Sequence, residues 1–216
     1  MTTIVIDAPL APAALQHVTV QNLTLNARGN RVVDDASFEF LGSGIHGVRS
    51  GSPTASAAVA AAIAGTHPVA SGRIWIDGRS LAFGDRRAMI DARVAVLGSD
   101  VGLLPARTVA ANIFLGREHA VREDMVTDAT AILAALGSTI DALSGVSGLG
   151  PGDRLIVELA RAIAARAELV VAAEPGPALT RALGRAADLG PRVLLVTCDP
   201  VTLASAHDSA SLSAGS

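Results

Sequence analysis

An acidic residue at the end of an apolar run is the clearest candidate for chemistry. Leu169–Ala173 is a short apolar run, and Glu174 and Pro175 follow it directly. Ligand sites of open α/β sheets lie at the carboxyl ends of strands, so Glu174 is placed where such a sheet builds a site. The alternative is a strand-end acid whose carboxylate is hydrogen-bonded to a neighbouring loop.

A loop of small residues is the second candidate. Residues 50–57, SGSPTASA, follow a short apolar strand at Ile45–Val48 and lead into an Ala-rich helix predicted at Ser56–Ala64. A triphosphate cradle needs glycines, a lysine and a Ser/Thr hydroxyl for magnesium. This loop has no lysine, and Pro53 removes one backbone donor. It predicts a neutral turn that caps a core helix, whose N-terminus attracts anions only weakly.

Other reactive side chains are isolated in the sequence. Cys198 could be a nucleophile only with a base within hydrogen-bond reach, and no pattern pairs it with His46, so a buried, inert thiol is favoured. The five histidines are scattered without a ligand spacing, and we expect no metal site.

Composition excludes several function classes. All seventeen basic residues among the 216 are Arg, which excludes lysine chemistry, and the net charge of −3 gives no case for nucleic acid as a partner. A single Cys excludes an internal disulfide. The N-terminus lacks the basic start of a signal peptide, and the uncharged stretch Ser50–Gly72 is too rich in Ala, Pro and hydroxyl residues for a membrane span. The lone Cys198 is compatible with a reducing compartment.

The order of elements predicts an α/β fold. Alternating strands come first, at His17–Asn26 and Arg31–Phe40, and apolar strands alternate with helices later. Helices are predicted at Thr108–Leu115, Glu118–Leu136, Pro177–Leu189 and Val201–Asp208. We divide the chain into an N-terminal segment 1–16, one domain 17–208 with a helical insert near 105–150, and a frayed tail 209–216.

Several stretches resemble the ATP-binding proteins of ABC transporters, most closely the sugar-importer branch. The similarity lies in VELARAI…ELVVAAEPGPALT, in IHGVRSGSPTASAAVAAAIAGTHPVASGRIWIDG and in LLPARTVAANIFLGRE. The resemblance implies a P-loop NTPase-like ABC ATPase core with an antiparallel β edge and a helical subdomain. In that fold Ile45–Val48, Leu169–Ala173 and Val193–Thr197 are neighbouring parallel strands.

The family's phosphate-loop motif GxxGxGKS falls on residues 50–57 without a gap. The resemblance places degenerate nucleotide-binding positions at Ser50, Gly51, Ser52, Ser56 and Ala57. The lysine position is Ser56 and the magnesium hydroxyl position is Ala57. A shifted frame, Gly47–Thr54, restores a glycine and a threonine but places Pro53 at the lysine.

The other motif positions are also altered. The Q-loop glutamine falls on Ser99, the Walker B aspartate on Ala173 and the switch histidine on Cys198, whereas the catalytic base position keeps Glu174. The signature LSGGQ falls on Leu149, Gly150, Pro151, Gly152 and Asp153.

The resemblance and these losses together predict a degenerate, non-catalytic ATP-binding subunit with Glu174 as a vestige. No cofactor is expected, and ATP and Mg should bind weakly at best. Expected partners are a membrane permease, or another ABC ATPase domain in a homo- or heterodimer, which places the protein at the inner face of the cell membrane. The alternatives are a weak or composite-site ATPase that energises transport of a small solute such as a sugar, and a decayed copy without function.

The segment Leu103-Leu104-Pro105 is the candidate docking surface, together with Val109, Ile113 and Phe114. In importers of the resembled family this segment lies beside the permease's coupling helix. The alternative is that these apolar residues cover the core of the helical insert.

Overall fold

In a computed structural model, the structure describes residues 17–98, 102–117 and 124–212. The strands are β1 His17–Ala27, β2 Asn30–Leu41, β3 Ile45–Arg49, β4 Ser71–Ile76, β5 Arg79–Leu81, β6 Val94–Val96, β7 Leu169–Ala173, β8 Arg192–Thr197 and β9 Asp208–Ser211. The helices are α1 Pro53–Ile63, α2 Arg86–Asp91, α3 Val109–Ile113, α4 Met125–Ala135, α5 Pro151–Ala164, α6 Pro177–Asp188 and α7 Pro200–Leu203.

The central layer is a parallel sheet in the order β6-β7-β8-β3-β9. Val170 pairs with Val193, and Ile45 pairs with the same residue from the other side. The predicted neighbouring parallel strands are therefore confirmed. β7 and β8 are buried on both faces, as parallel strands covered by helices should be, and this explains their continuous apolar runs.

The second layer is an antiparallel sheet in the order β2-β1-β4-β5, which confirms the predicted antiparallel edge. Its inward face carries alternating apolar residues such as Val18, Val20 and Phe38. The buried Arg192 of β8 forms a bidentate ion pair with Asp77, between β4 and β5, at 2.8 and 3.0 Å. This pair connects the two sheets at the end of the parallel sheet that lies opposite Glu174.

Two apolar cores lie on opposite faces of the parallel sheet. The first contains alternate β7 residues, Leu169 and Val171, with α1 and the antiparallel sheet. The second contains Val170 and Ala172 with α3, α4, α5 and α6. Successive side chains of β7 point to opposite faces of the sheet, so the apolar run contributes to both cores. The strand is therefore packed on both sides.

Several boundaries differ from those predicted. α1 begins at Pro53 rather than Ser56, because Ser52 is its N-cap and proline suits the first helical turn. Asp208–Ser211 is an edge strand paired with β3, so a helix ending at Asp208 and a tail frayed from 209 onward were wrong for these residues. The sequence there has no apolar alternation; the pairing comes from the free edge of β3.

The helical insert is only partly as predicted. α4 begins at Met125, where Asp124 caps it, while part of the predicted Glu118–Leu136 helix lies outside the described residues. The short helix α2 was not predicted. No helix in the described ranges is long and apolar enough to cross a membrane.

Candidate functional site

The Glu174 carboxylate lies where β7, β8 and the β3–α1 loop end together. It accepts hydrogen bonds from Ser56 Oγ at 2.5 Å, Thr197 Oγ1 at 2.8 Å and the Cys198 backbone N–H at 2.8 Å. Glu174 itself has a φ of +44°, an uncommon value for a residue with a side chain. The carboxylate is therefore a fixed acceptor for three donors from two segments, α1 and the end of β8.

A chain of hydroxyl groups continues from Glu174 into the loop. Ser50 Oγ and Ser56 Oγ are 2.5 Å apart, and both side chains are buried. With the Ser56 proton directed to the carboxylate, the Ser50 hydroxyl can donate either to Ser56 Oγ or to the Ser52 carbonyl at 3.1 Å. In the first case the donors are aligned in one direction towards an ion and strengthen one another. One of the predicted nucleotide-binding positions, Ser56, is thus occupied in binding the protein's own carboxylate.

The turn between β3 and α1 is short. It contains only Ser50, Gly51 and Ser52, since α1 begins at Pro53. Ser52 is turned back on the helix: its hydroxyl accepts from the Ala55 N–H at 3.2 Å, and its carbonyl accepts from the Ser56 N–H at 3.0 Å. These two N–H groups are therefore directed into the helix cap rather than around an anion.

Hydrogen bonding controls the ionisation of Glu174. Burial raises its pKa, but the hydrogen bonds from Ser56, the Cys198 N–H and Thr197 together outweigh burial and hold the pKa below the ordinary 4.5. The pKa of the Cys198 thiol is raised by burial and by the adjacent Glu174 carboxylate. The site thus contains a firmly ionised carboxylate and a protonated thiol, the opposite of an activated cysteine.

Metal ligands are scarce at this site. Ala57 and Ala173 present only methyl groups beside it. Among residues 17–98, 102–117 and 124–212, no three His, Cys, Asp or Glu side chains are grouped to hold a metal ion. One carboxylate with hydroxyl neighbours is a poor set for Mg²⁺, which needs near-octahedral oxygen ligands. The described side chains around Glu174 therefore offer one carboxylate and neutral hydroxyl groups as possible metal ligands.

The remaining predicted site residues lie elsewhere. Gly150 is the N-cap of α5 and Pro151–Asp153 form its first turn, while Leu149 ends a short 3-10 turn at Val146–Gly148. No hydrogen bond within the described part of the chain joins this segment to Glu174. Ser99 lies outside the described residues.

The candidate docking surface is smaller than predicted. Leu104 is 40% exposed and Pro105 is exposed, whereas Leu103 is half-buried against the second core. Val109, Ile113 and Phe114 are buried in that core, so their assignment to a surface was wrong. α3 turns its apolar face inward against α4 and α5, and only the preceding loop remains outside.

Sequence reasoning missed two polar residues. Thr197 at the end of β8 is fully buried and binds Glu174; a hydroxyl at the end of an apolar strand was the available signal. Asn112, also fully buried, holds the Leu103–Pro105 loop. A lone amide among the apolar residues of α3 was the signal there.

A mostly apolar cavity lies apart from Glu174. It has a volume of about 180 Å³ and lies between the end of α1, α2, the open edge of β6, and α5. Its walls are mostly apolar, with Met89, Ile90 and Val96, and they include Glu158 and Arg161. Glu158 accepts from the Gly98 N–H at 2.7 Å, and burial raises its pKa.

The parallel sheet, the antiparallel edge and the helical subdomain define the class of ABC ATPase nucleotide-binding domains. The cbiO1 structure from Clostridium perfringens, part of the ABC transporter complex cbiONQ, superposes with a TM-score of 0.70 at 15% identity, covering 92% of this chain and 85% of that one. A bacterial Atm1-family ABC exporter with ATP bound gives 0.69 at 19% identity, covering 97% and 39%.

Sequence comparison gives the family. A family model described as ABC transporter matches residues 56–176, more than half of the chain. This chain therefore belongs to the ABC transporter ATP-binding family.

Individual relatives are sugar-import ATP-binding proteins. Arabinose import ATP-binding protein AraG 2 of Burkholderia thailandensis is 26% identical over 180 residues, covering 81% of this chain and 34% of that protein. Ribose import ATP-binding protein RbsA of Hahella chejuensis is 29% identical over 169 residues, covering 76% and 34%. The chain spans about a third of the length of these relatives.

Proposed function

We propose that this protein is a non-catalytic ATP-binding-type subunit of an ABC sugar importer, which acts through the proteins it contacts. The observation that carries the proposal is that the Glu174 carboxylate accepts three internal hydrogen bonds, from Ser56, Thr197 and Cys198. A general base must reach the proton that it removes, and its pKa should lie near the working pH. Glu174 is held by three internal donors and its pKa lies below 4.5, so it is poorly suited on both counts.

The rate effects of the replaced residues support the loss of ATP turnover. Removing one preorganised charge-stabilising donor typically lowers a rate by ~10²–10³. Here the lysine position is Ser56, the magnesium hydroxyl position is Ala57, and the chain has no lysine that could substitute. Such losses are not additive, but the replacement of both positions lowers the expected turnover by at least about 10²–10³.

The relatives suggest the transport system. Their names specify import of arabinose and ribose, so a small sugar is the proposed solute class. Because the chain covers about a third of those proteins, the proposal assigns it one nucleotide-binding-type domain and leaves hydrolysis to a partner ATPase domain.

The proposed docking surface combines a loop and a groove. Leu104 and Pro105 are exposed on the loop, and Ile90, 60% exposed, lies at the rim of the apolar cavity beside β6. Arg161 links them, because it lines the cavity and also hydrogen-bonds to Asn112, which holds the loop. A permease segment bound across both would place the protein at the inner face of the cell membrane.

The proposal is tested by measuring phosphate release from ATP. The purified chain is measured alone and in a mixture with an intact ATPase domain of a sugar importer. We expect the chain alone to give background hydrolysis, and the mixture to give no more than the added ATPase. Hydrolysis above background by the chain alone, abolished in Glu174→Gln, would establish the weak-ATPase alternative. Extra hydrolysis in the mixture that depends on Glu174 would establish the composite-site alternative.

A further inference from the structure

The side chain of Asn112 satisfies its hydrogen-bonding capacity on the loop before α3. Its Oδ1 accepts from the Leu104 N–H at 2.7 Å, and its Nδ2 donates to the Leu104 carbonyl at 3.0 Å. Nδ2 also donates to the Thr108 carbonyl at 3.0 Å. The amide thus pairs with Leu104 in both directions, as a neighbouring strand would.

Arg161 extends this pairing to α5. Its Nε donates to the Asn112 backbone carbonyl at 2.9 Å, and one terminal nitrogen donates to Asn112 Oδ1 at 3.2 Å. Asn112 is fully buried and Arg161 lies on the α5 face that meets α3. The loop is therefore connected to α5 through one buried amide and one guanidinium.

We propose that Asn112 is a positioning residue that makes the exposed loop 103–105 a rigid extension of α5. Leu104 is too exposed to be fixed by apolar burial, so its backbone position depends on hydrogen bonds: its N–H donates to Asn112, and its carbonyl accepts from Asn112 and from the Arg107 N–H at 3.1 Å. That the loop receives a permease rests on the proposed function; that Asn112 fixes the loop does not.

Residue-resolved amide hydrogen exchange on the isolated chain tests the inference. Asn112→Ser keeps a polar group but is too short to reach Leu104. We expect the Leu104 amide to exchange about tenfold faster or more, because a hydrogen bond within the native loop is lost. A general loss of stability would instead raise exchange throughout the second core.

Thr108→Ala is the matched control. The Thr108 hydroxyl caps α3 by accepting from the Ala111 N–H, so this variant weakens the same helix without touching the Asn112–Leu104 pair. Faster Leu104 exchange in Asn112→Ser but not in Thr108→Ala supports positioning. Equal acceleration in both, or no acceleration in Asn112→Ser, overturns it.

Arg161→Lys decides the question if Asn112→Ser does not fold. A lysine keeps the charge but cannot reproduce the two bonds to Asn112. We expect Leu104 to exchange about threefold faster or more, with α3 amides less affected; unchanged Leu104 exchange overturns the inference. Because no partner is present in this measurement, a failed permease interaction would leave its result standing.

Discussion

The Ser56 hydroxyl donates a 2.5 Å hydrogen bond to the Glu174 carboxylate, across 118 positions of sequence. Ser56 occupies the position where the family resemblance expects a cationic lysine, and Glu174 occupies the position of the catalytic base. The two side chains satisfy each other directly. An internal ion–dipole contact thus joins α1 to the end of β7.

Glu174→Gln should leave phosphate release at background and lower stability. An amide keeps the shape but replaces charge-assisted acceptors, which costs about 1–3 kcal/mol in the free energy of unfolding. Urea denaturation measures this. Glu168→Gln is the control, since its side chain is 41% exposed and only loosely paired, and it should change stability by about 0.5 kcal/mol or less. A stability loss in Glu168→Gln but not in Glu174→Gln would refute the stabilising role of the hydrogen bonds that Glu174 accepts.

Two carboxylates, Glu174 and Glu158, should change the free energy of unfolding in opposite directions as the pH falls. The pKa of Glu174 is held below 4.5 in the folded state, so its contribution is complete above pH 4.5 and is lost as pH falls through the folded value. The pKa of Glu158 is raised above 4.5 by burial, so its folded state takes up a proton first and gains stability as pH falls towards 4.5.

Unfolding curves of Glu174→Gln, Glu158→Gln and the parent chain test this. They are measured between about pH 3 and pH 7, which covers roughly two units on either side of 4.5. The stability difference between the parent chain and Glu174→Gln should shrink on acidification. The parent chain should gain stability relative to Glu158→Gln as the pH falls over the same range. Parallel behaviour of both variants would show that one assigned pKa direction is wrong.

ATP with magnesium should not stabilise the chain. A micromolar site saturated at millimolar nucleotide adds about 4 kcal/mol, and for a chain of this size each kcal/mol raises the midpoint by about 2–4 °C. We expect a shift of less than ~1 °C, because neither a lysine nor two magnesium ligands are available. Calorimetry that gives a micromolar Kd would contradict the proposal. The ribose import protein RbsA of Hahella chejuensis is a suitable comparison in the same assay.

Leu104→Ser should reduce recruitment to membranes that contain the permease, without unfolding the domain. Leu104 is 40% exposed and contributes little to the core, whereas Leu103 packs on the second core and its replacement by Ser should also cost stability. Leu143→Ser is the control, because Leu143 is 63% exposed and lies outside the proposed surface. Sedimentation with membrane vesicles measures recruitment. Equal binding of Leu104→Ser and Leu143→Ser would refute the docking assignment.

Gly65→Ala should be more damaging than Gly29→Ala. Both glycines have positive φ, +74° and +82°, where a side chain costs about 1–2 kcal/mol. At Gly65 a Cβ would also lie 2.6 Å from the Arg86 backbone nitrogen, whereas at Gly29 it would meet nothing within 4 Å. Thermal denaturation should therefore rank the two variants clearly. Equal losses would mean that α2 moves away from the end of α1 without cost.

The sequence by itself determined the elements that depend on local pattern. The apolar run Leu169–Ala173 predicted a buried strand, and the alternation in β1 and β2 predicted a half-buried sheet. The sequence also showed that lysine chemistry is absent, because the absence of a residue type can be recognised without a structure. Both follow from composition and period, which are properties of neighbouring residues.

The tertiary structure decided what each polar group binds. Glu174 takes donors from α1 and from the end of β8, and those segments meet only because β3, β8 and β7 are adjacent in the sheet. Asn112 pairs with a loop eight residues earlier, and β9 forms on an edge that only the folded sheet provides. Long-range hydrogen bonds follow strand order and register, and no local period encodes these.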